Sequence, residues 1–128
     1  MNRKRLLAKI GVTGLVPRQA WSIPTDDGSA NVFFCWLANY SHANKTITFA
    51  YDSWRDTPHH RASTDKMREA AQEGKPCIAV MQKRARGTGG DFGVASAVSG
   101  VMSYVFHFTP EFTGDRVVGH DTRMERFD

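Results

Sequence analysis

Cysteine is scarce in this chain of 128 residues: there are two, Cys35 and Cys77, and no CxxC pair. That excludes a structural zinc built on thiolates. Both cysteines lie inside apolar, strand-like runs, so free buried thiols are expected, with a single disulfide as the alternative. Long apolar runs are missing too. The longest, "ANVFFCWLANY", falls well short of the roughly 20 residues that a membrane-spanning helix requires, so no membrane partner is expected. The basic opening "MNRKRLLAKIGVTGLV" is broken by Lys9 and Gly11 and is followed by no small-residue cleavage site. A signal peptide is therefore not expected, and the location expected is cytoplasmic. Catalytic signatures such as GxSxG and His-Glu-x-x-His are lacking, and neither a metal nor a cofactor is expected.

What is present describes a single globular domain, with 41% hydrophobic and 23% charged residues. The formal charge is +4, from 17 Lys and Arg against 13 acids, and the basic residues cluster. "NRKR" opens the chain and "QKRARGTGG" occupies residues 82–90, both suited to phosphate contact.

Hydrophobic patterning sets out the elements. A short basic helix is expected in the first ten residues, then a strand at "RQAWSI" and a turn at "PTDDGSA". "NVFFCWLANY" is apolar throughout and reads as a central strand covered on both faces. "TITFAY" alternates, placing Ile47, Phe49 and Tyr51 on one face. Pro58 rules against a helix running through it, and a helix is expected at about 64–73, capped by Ser63 or Thr64 and ended by Gly74. Strands follow at "PCIAVMQKR", "FGVASAVSG" and "SYVFHFT", the last two joined near Gly100. Tyr104, Phe106 and Phe108 share one face of the last strand, Val105 and His107 the other. "RGTGGDFG" lies between strands and lacks a Gly-Lys-Ser/Thr ending, so it reads as a hairpin tip rather than a phosphate loop. The expected fold class is α+β, a mostly antiparallel curled sheet or small β-barrel with one short helix. It forms one domain over 1–128, with a basic N-terminal segment, 1–16, and a polar C-terminal tail, 111–128.

One stretch stands apart from scaffold: "YDSWRDTPHHRASTDKM", from Tyr51 to Met67. Its Tyr51 and Trp54, like Trp36, offer faces on which a base can stack, although the apolar neighbours of Trp36 mark it as core. Arg55, Arg61 and Lys66, joined by Lys83, Arg84 and Arg86 of the basic hairpin, offer phosphate contacts. His59, His60 and Ser63 offer hydrogen bonds to a base edge or backbone.

Residues 31–108 resemble the uncharacterised C-terminal domain of restriction-associated superfamily-two helicases, found also beside nucleases in related defence proteins. The resemblance is carried by "NVFFCWLANY", "TITFAYDSW", "HHRAST", "GKPCIAVMQKR", "DFGVASAV" and "SYVFHFTPE". Where that family has Phe-His-Trp-Gln-Ser-Gln, this chain has His59 to Thr64, so His60 and Ser63 match directly and Trp54 lies close enough to replace the missing aromatic. The resemblance implies a β-rich module that accompanies nucleic-acid enzymes, related to the small barrels that read modified bases.

The expected function is binding of nucleic acid or a nucleotide through the Tyr51–Lys66 loop and the Lys83–Arg86 hairpin. A small metal-independent ribonuclease using His60, Arg61 and Ser63 is one alternative. A protein partner, with the chain acting as an inhibitor, is another.

Overall fold

A computed structural model describes residues 2–14, 16, 22–48, 58–84, 98–113 and 116–127. Its architecture is mixed α+β: a seven-stranded sheet in the order β1-β2-β5-β6-β7-β4-β3, with two helices. The strands are β1 Ser22–Pro24, β2 Asn31–Trp36, β3 Tyr40–Ser41, β4 Thr46–Thr48, β5 Cys77–Arg84, β6 Val98–Thr113 and β7 Arg116–Arg126. All neighbours are antiparallel except β2 and β5.

The two helices explain the burial of β2. Helix α1 spans Arg3–Lys9; Asn2 caps it by accepting from Arg5 N–H at 2.8 Å, and Gly11 leaves it at a φ of 94°. Its Leu6 and Leu7 pack with Val32, Phe34 and Trp36 of β2 on one face of the sheet. Helix α2 spans Pro58–Glu73, and its Met67 and Ala70 pack with Phe33 and Cys35 on the other. Every residue of β2 is therefore buried, as a continuous apolar run predicts. Trp36 is core, 3% exposed.

The sheet is open, with β1 and β3 at its edges, but it curls strongly. From β2 to β3 is five strand spacings in the sheet order, about 24 Å if flat at ~4.8 Å each. The chain covers that separation between Trp36 and Tyr40 through one 3-10 turn, Leu37–Asn39, a reach of at most about 14 Å. Curling removes the mismatch. The Tyr40 ring lies flat on Phe106 of β6, centroids 4.4 Å apart and planes 12° apart, so β3 has folded back over the middle of the sheet. Of the two expected forms, the curled sheet is the one realised, without closure into a barrel.

Other expectations need correction. The second helix begins at Pro58 rather than near residue 64. Proline suits the first helical position, where no amide partner exists, and its restriction falls on the residue before it. The described residues hold two helices rather than the one expected in the fold: α1, where the basic opening predicts a helix, lies on the face of the sheet opposite α2. Gly100 does not join two strands: it lies within the single strand β6, opposite Lys83. Pro110 does not end that strand either. Past Phe108, which pairs with Cys77, β6 outruns β5, so a missing proline N–H removes no bond on that side. The expected polar tail from residue 111 is instead the end of β6 and all of β7, paired from Tyr104↔Arg126 to Thr113↔Arg116.

Candidate nucleic-acid interface

The two faces of β6 differ. Val105 packs under α1, whereas Tyr104, Phe106 and Phe108 point to the concave side. Cross-strand pairing brings Arg126 of β7 beside Tyr104 and Met124 beside Phe106. Regular pairing would then set Thr122 opposite Phe108. The register slips by one residue between His107 and Phe108, and Asp121 takes that place. An extra residue in one strand re-aims the side chains after it, and here it carries a carboxylate onto the aromatic face. Thr122 Oγ1 donates to the His107 carbonyl at 2.9 Å and holds the irregularity.

The result is a cleft of about 520 Å³. Its floor is aromatic: Tyr40 stacks on Phe106, Tyr104 meets Phe106 edge-on at 5.4 Å, and His42 meets Tyr40 edge-on at 4.9 Å. Its rim is cationic, with exposed Lys45, Arg123 and Arg126, the last 5.7 Å over the Tyr104 ring. Arg123 also reaches the opposite face, where Nη2 lies 3.0 Å from His107 Nε2 and Nη1 lies 3.5 Å from Glu125. Arg126 and Lys45 are thus the cations most directly given over to the cleft.

Asp121 organises the site. Tyr40 donates its hydroxyl to Asp121 Oδ2 at 3.0 Å, and the Asp121 N–H donates to the Lys45 carbonyl at 2.9 Å. Burial, then the hydrogen bond and charge of Asp121, push the Tyr40 phenol up to about 12, so it stays neutral and donating at physiological pH. Lys45 closes the β3–β4 turn at a φ of 53°, where glycine is the easier residue. Keeping a lysine there costs backbone strain and retains a cation at the rim.

The residues picked out from sequence fall elsewhere. Tyr51, Trp54, Arg55 and Arg86 lie outside the described residues. His59, His60, Arg61 and Ser63 take their places within the first turns of α2, not in a loop, and Arg84 ends β5. Ser63 and Thr64 are the sixth and seventh residues of that helix, so they do not cap it. Lys66 is exposed and 3.7 Å from Glu69; Lys83 is exposed near the end of β5; neither lines the cleft.

What sequence reading missed is the cleft itself: Tyr40, His42, Lys45, Asp121 and Arg126. The alternation of "SYVFHFT" puts three aromatics on one face, but the polar composition of their partner strand reads as a tail. The thiols are free, as expected: Cys35 and Cys77 share a face four register positions apart, about 13 Å at ~3.3 Å per residue. Burial raises both. Among the described residues no three His, Cys, Asp or Glu side chains converge as a metal site, and no helix is long and apolar enough to cross a membrane. No family model, curated protein or solved structure matches this chain.

Proposed function

We propose that the protein is a nucleic-acid or nucleotide-binding module whose ligand seats in the cleft between β3, β6 and β7. The observation that carries this reading is the pairing of an aromatic floor, Tyr40, Tyr104 and Phe106, with a rim of Lys45, Arg123 and Arg126. A base needs a π-face and a phosphate needs a cation, and this cleft offers both within one concavity. Asp121 adds an acceptor, suited to an exocyclic amine or a sugar hydroxyl. Reading of modified bases and a role in defence belong to the same proposal through the resemblance of residues 31–108 to restriction-associated domains.

The test is binding of labelled single- and double-stranded DNA and RNA, with and without 5-methylcytosine, and of mononucleotides, each at two salt concentrations. A polymer ligand gives affinity that falls steeply with salt, a single nucleotide much less. Tyr104→Ala with Arg126→Ala should weaken binding at least about tenfold, since one stacked base contributes roughly 1–3 kcal/mol. Unchanged affinity in that folded double variant removes the cleft from the reading. Failure of every nucleic acid and nucleotide to bind removes the function. Cleavage of an oligonucleotide would replace binding with the ribonuclease alternative.

A further inference from the structure

Asp121 is the odd charge in the cleft. The other charged residues lining it, Lys45, Arg123 and Arg126, are cations, yet none of the ion pairs among the described residues includes Asp121. Its carboxylate is held all the same: the backbone N–H donates to the Lys45 carbonyl at 2.9 Å, and Oδ2 accepts the Tyr40 hydroxyl at 3.0 Å. Oδ1 has no hydrogen-bond partner among the described residues. Nor is it one of the side-chain atoms buried without a partner, which are Arg3 Nε, Arg3 Nη2 and Gln82 Oε1. Half-buried Asp121 therefore keeps an open acceptor in the cleft that it lines.

Tyr40 has the same polarity. Its hydroxyl hydrogen is committed to Asp121, and a phenol pushed up to about 12 keeps that hydrogen at physiological pH. What the hydroxyl offers a ligand is a lone pair. A carboxylate accepts about four hydrogen bonds, so Oδ1 and the second lone pair of Oδ2 have room for two parallel N–H groups. Among the common bases only guanine sets two donors side by side on its Watson–Crick edge, N1–H and the N2 amine. Adenine and cytosine set a ring lone pair beside their amine; uracil and thymine flank a single N–H with two carbonyls. Each of these would press a lone pair against the carboxylate and leave polar groups unmatched.

We infer that the cleft selects unpaired guanine, its N1–H and N2 amine held by the Asp121 carboxylate and its phosphate at the Arg126 end. This rests on the nucleotide-binding reading and adds which base is taken. It also adds that the base is unpaired, because a duplex uses the same edge. The strand register allows both contacts. Asp121 stands opposite Phe108 and Arg126 opposite Tyr104, four β6 residues apart, about 13 Å at ~3.3 Å per residue. Carboxylate and guanidinium thus lie at opposite ends, which keeps the phosphate clear of Asp121.

The test is calorimetric titration of the intact protein with GMP, AMP, CMP and UMP. Beside them stand a single-stranded oligothymidylate carrying one deoxyguanosine and the same strand in a duplex. GMP should bind at least about tenfold tighter than the other mononucleotides. Asp121→Asn should lose that preference and favour xanthosine monophosphate, whose C2 carbonyl accepts from the new amide while N1–H still donates. A swap of preference cannot come from a damaged fold. A strand that binds more tightly than GMP, with a steep salt dependence, assigns the guanine to single-stranded nucleic acid; a strand no better than GMP assigns it to the free nucleotide. Equal binding of the four mononucleotides, all weakened by Arg126→Ala, overturns the guanine assignment and leaves nucleotide binding standing. A GMP preference that survives in Asp121→Asn, or a duplex that binds better than the single strand, overturns it as well. Should Asp121→Asn not fold, the wild-type ranking decides alone. Binding of none of these ligands removes the underlying reading and this inference with it.

Discussion

β2 and β7 belong to one sheet and have opposite characters. β2 is six residues long and wholly buried, with α1 on one face and α2 on the other. β7 is eleven residues long, contributes, among its described side chains, only Val117 to either core cluster, and leaves His120, Thr122, Arg123, Met124 and Arg126 exposed. Helix cover makes the difference. Where helices lie on both faces, side chains serve packing; past that cover, the curl of the sheet leaves a concave aromatic surface open and able to meet a ligand.

The stability contrast should be large. Phe33 is fully buried and meets Phe108 edge-on at 5.7 Å, so Phe33→Ala should cost about 3–5 kcal/mol in urea unfolding. Met124, 44% exposed, should cost no more than about 0.5 kcal/mol when cut to Ala. Equal losses would mean that β7 is as much core as β2.

Function should divide the other way. Lys45→Gly relieves a left-handed backbone, so the midpoint of unfolding should hold or rise. The same change should weaken ligand binding and, for a polymer ligand, lower the salt slope by about 1. A variant that loses stability but keeps its binding would show Lys45 to be structural.

Asp121→Asn probes a finer feature. A raised phenol pKa favours the folded state up to the ordinary tyrosine value of 10.0, and that contribution is lost as pH climbs through about 12. The variant should bring Tyr40 ionisation down in an absorbance titration, closing part of the window. A midpoint still near 12 would assign the whole shift to burial.

The smallest effect is expected at Asp27. Hydrogen bonds from the Ser29 side chain, the Ser29 backbone and Thr25 lower its carboxyl to about 2. Its contribution is therefore present above 3.8 and fades as pH falls through about 2. The difference in melting temperature between wild type and Asp27→Asn, followed by circular dichroism, should shrink across that interval. A constant difference would place the effect elsewhere.

Much of the fold was legible because burial writes itself into residue type. "NVFFCW" has no polar face to turn outward, so it had to be a covered strand. Ser-Tyr-Val-Phe-His-Phe alternates, so its aromatics had to share a side. Strand ends were less legible. Gly100 and Pro110 read as breaks, yet each sits where β6 tolerates it: Gly100 beside irregular pairing with β5, Pro110 beyond the last β5 partner. The candidate site was least legible, because "GHDTRMER" is polar by composition. A strand turned toward solvent and a cleft looks like a tail until its partner is known.

The sequence by itself determined a mixed α+β domain with buried thiols, a fully covered β2 and a mild excess of positive charge. These follow from local pattern and composition, which need no knowledge of what lies opposite. Only the tertiary structure decided that β3 returns over β6 and that a one-residue slip between β6 and β7 turns Asp121 toward Tyr40. It alone buried Arg3 Nε and Nη2 with no hydrogen-bond acceptor among the described residues. Each of these depends on pairing between residues far apart in the chain, where register and curl are set by packing and turn length together.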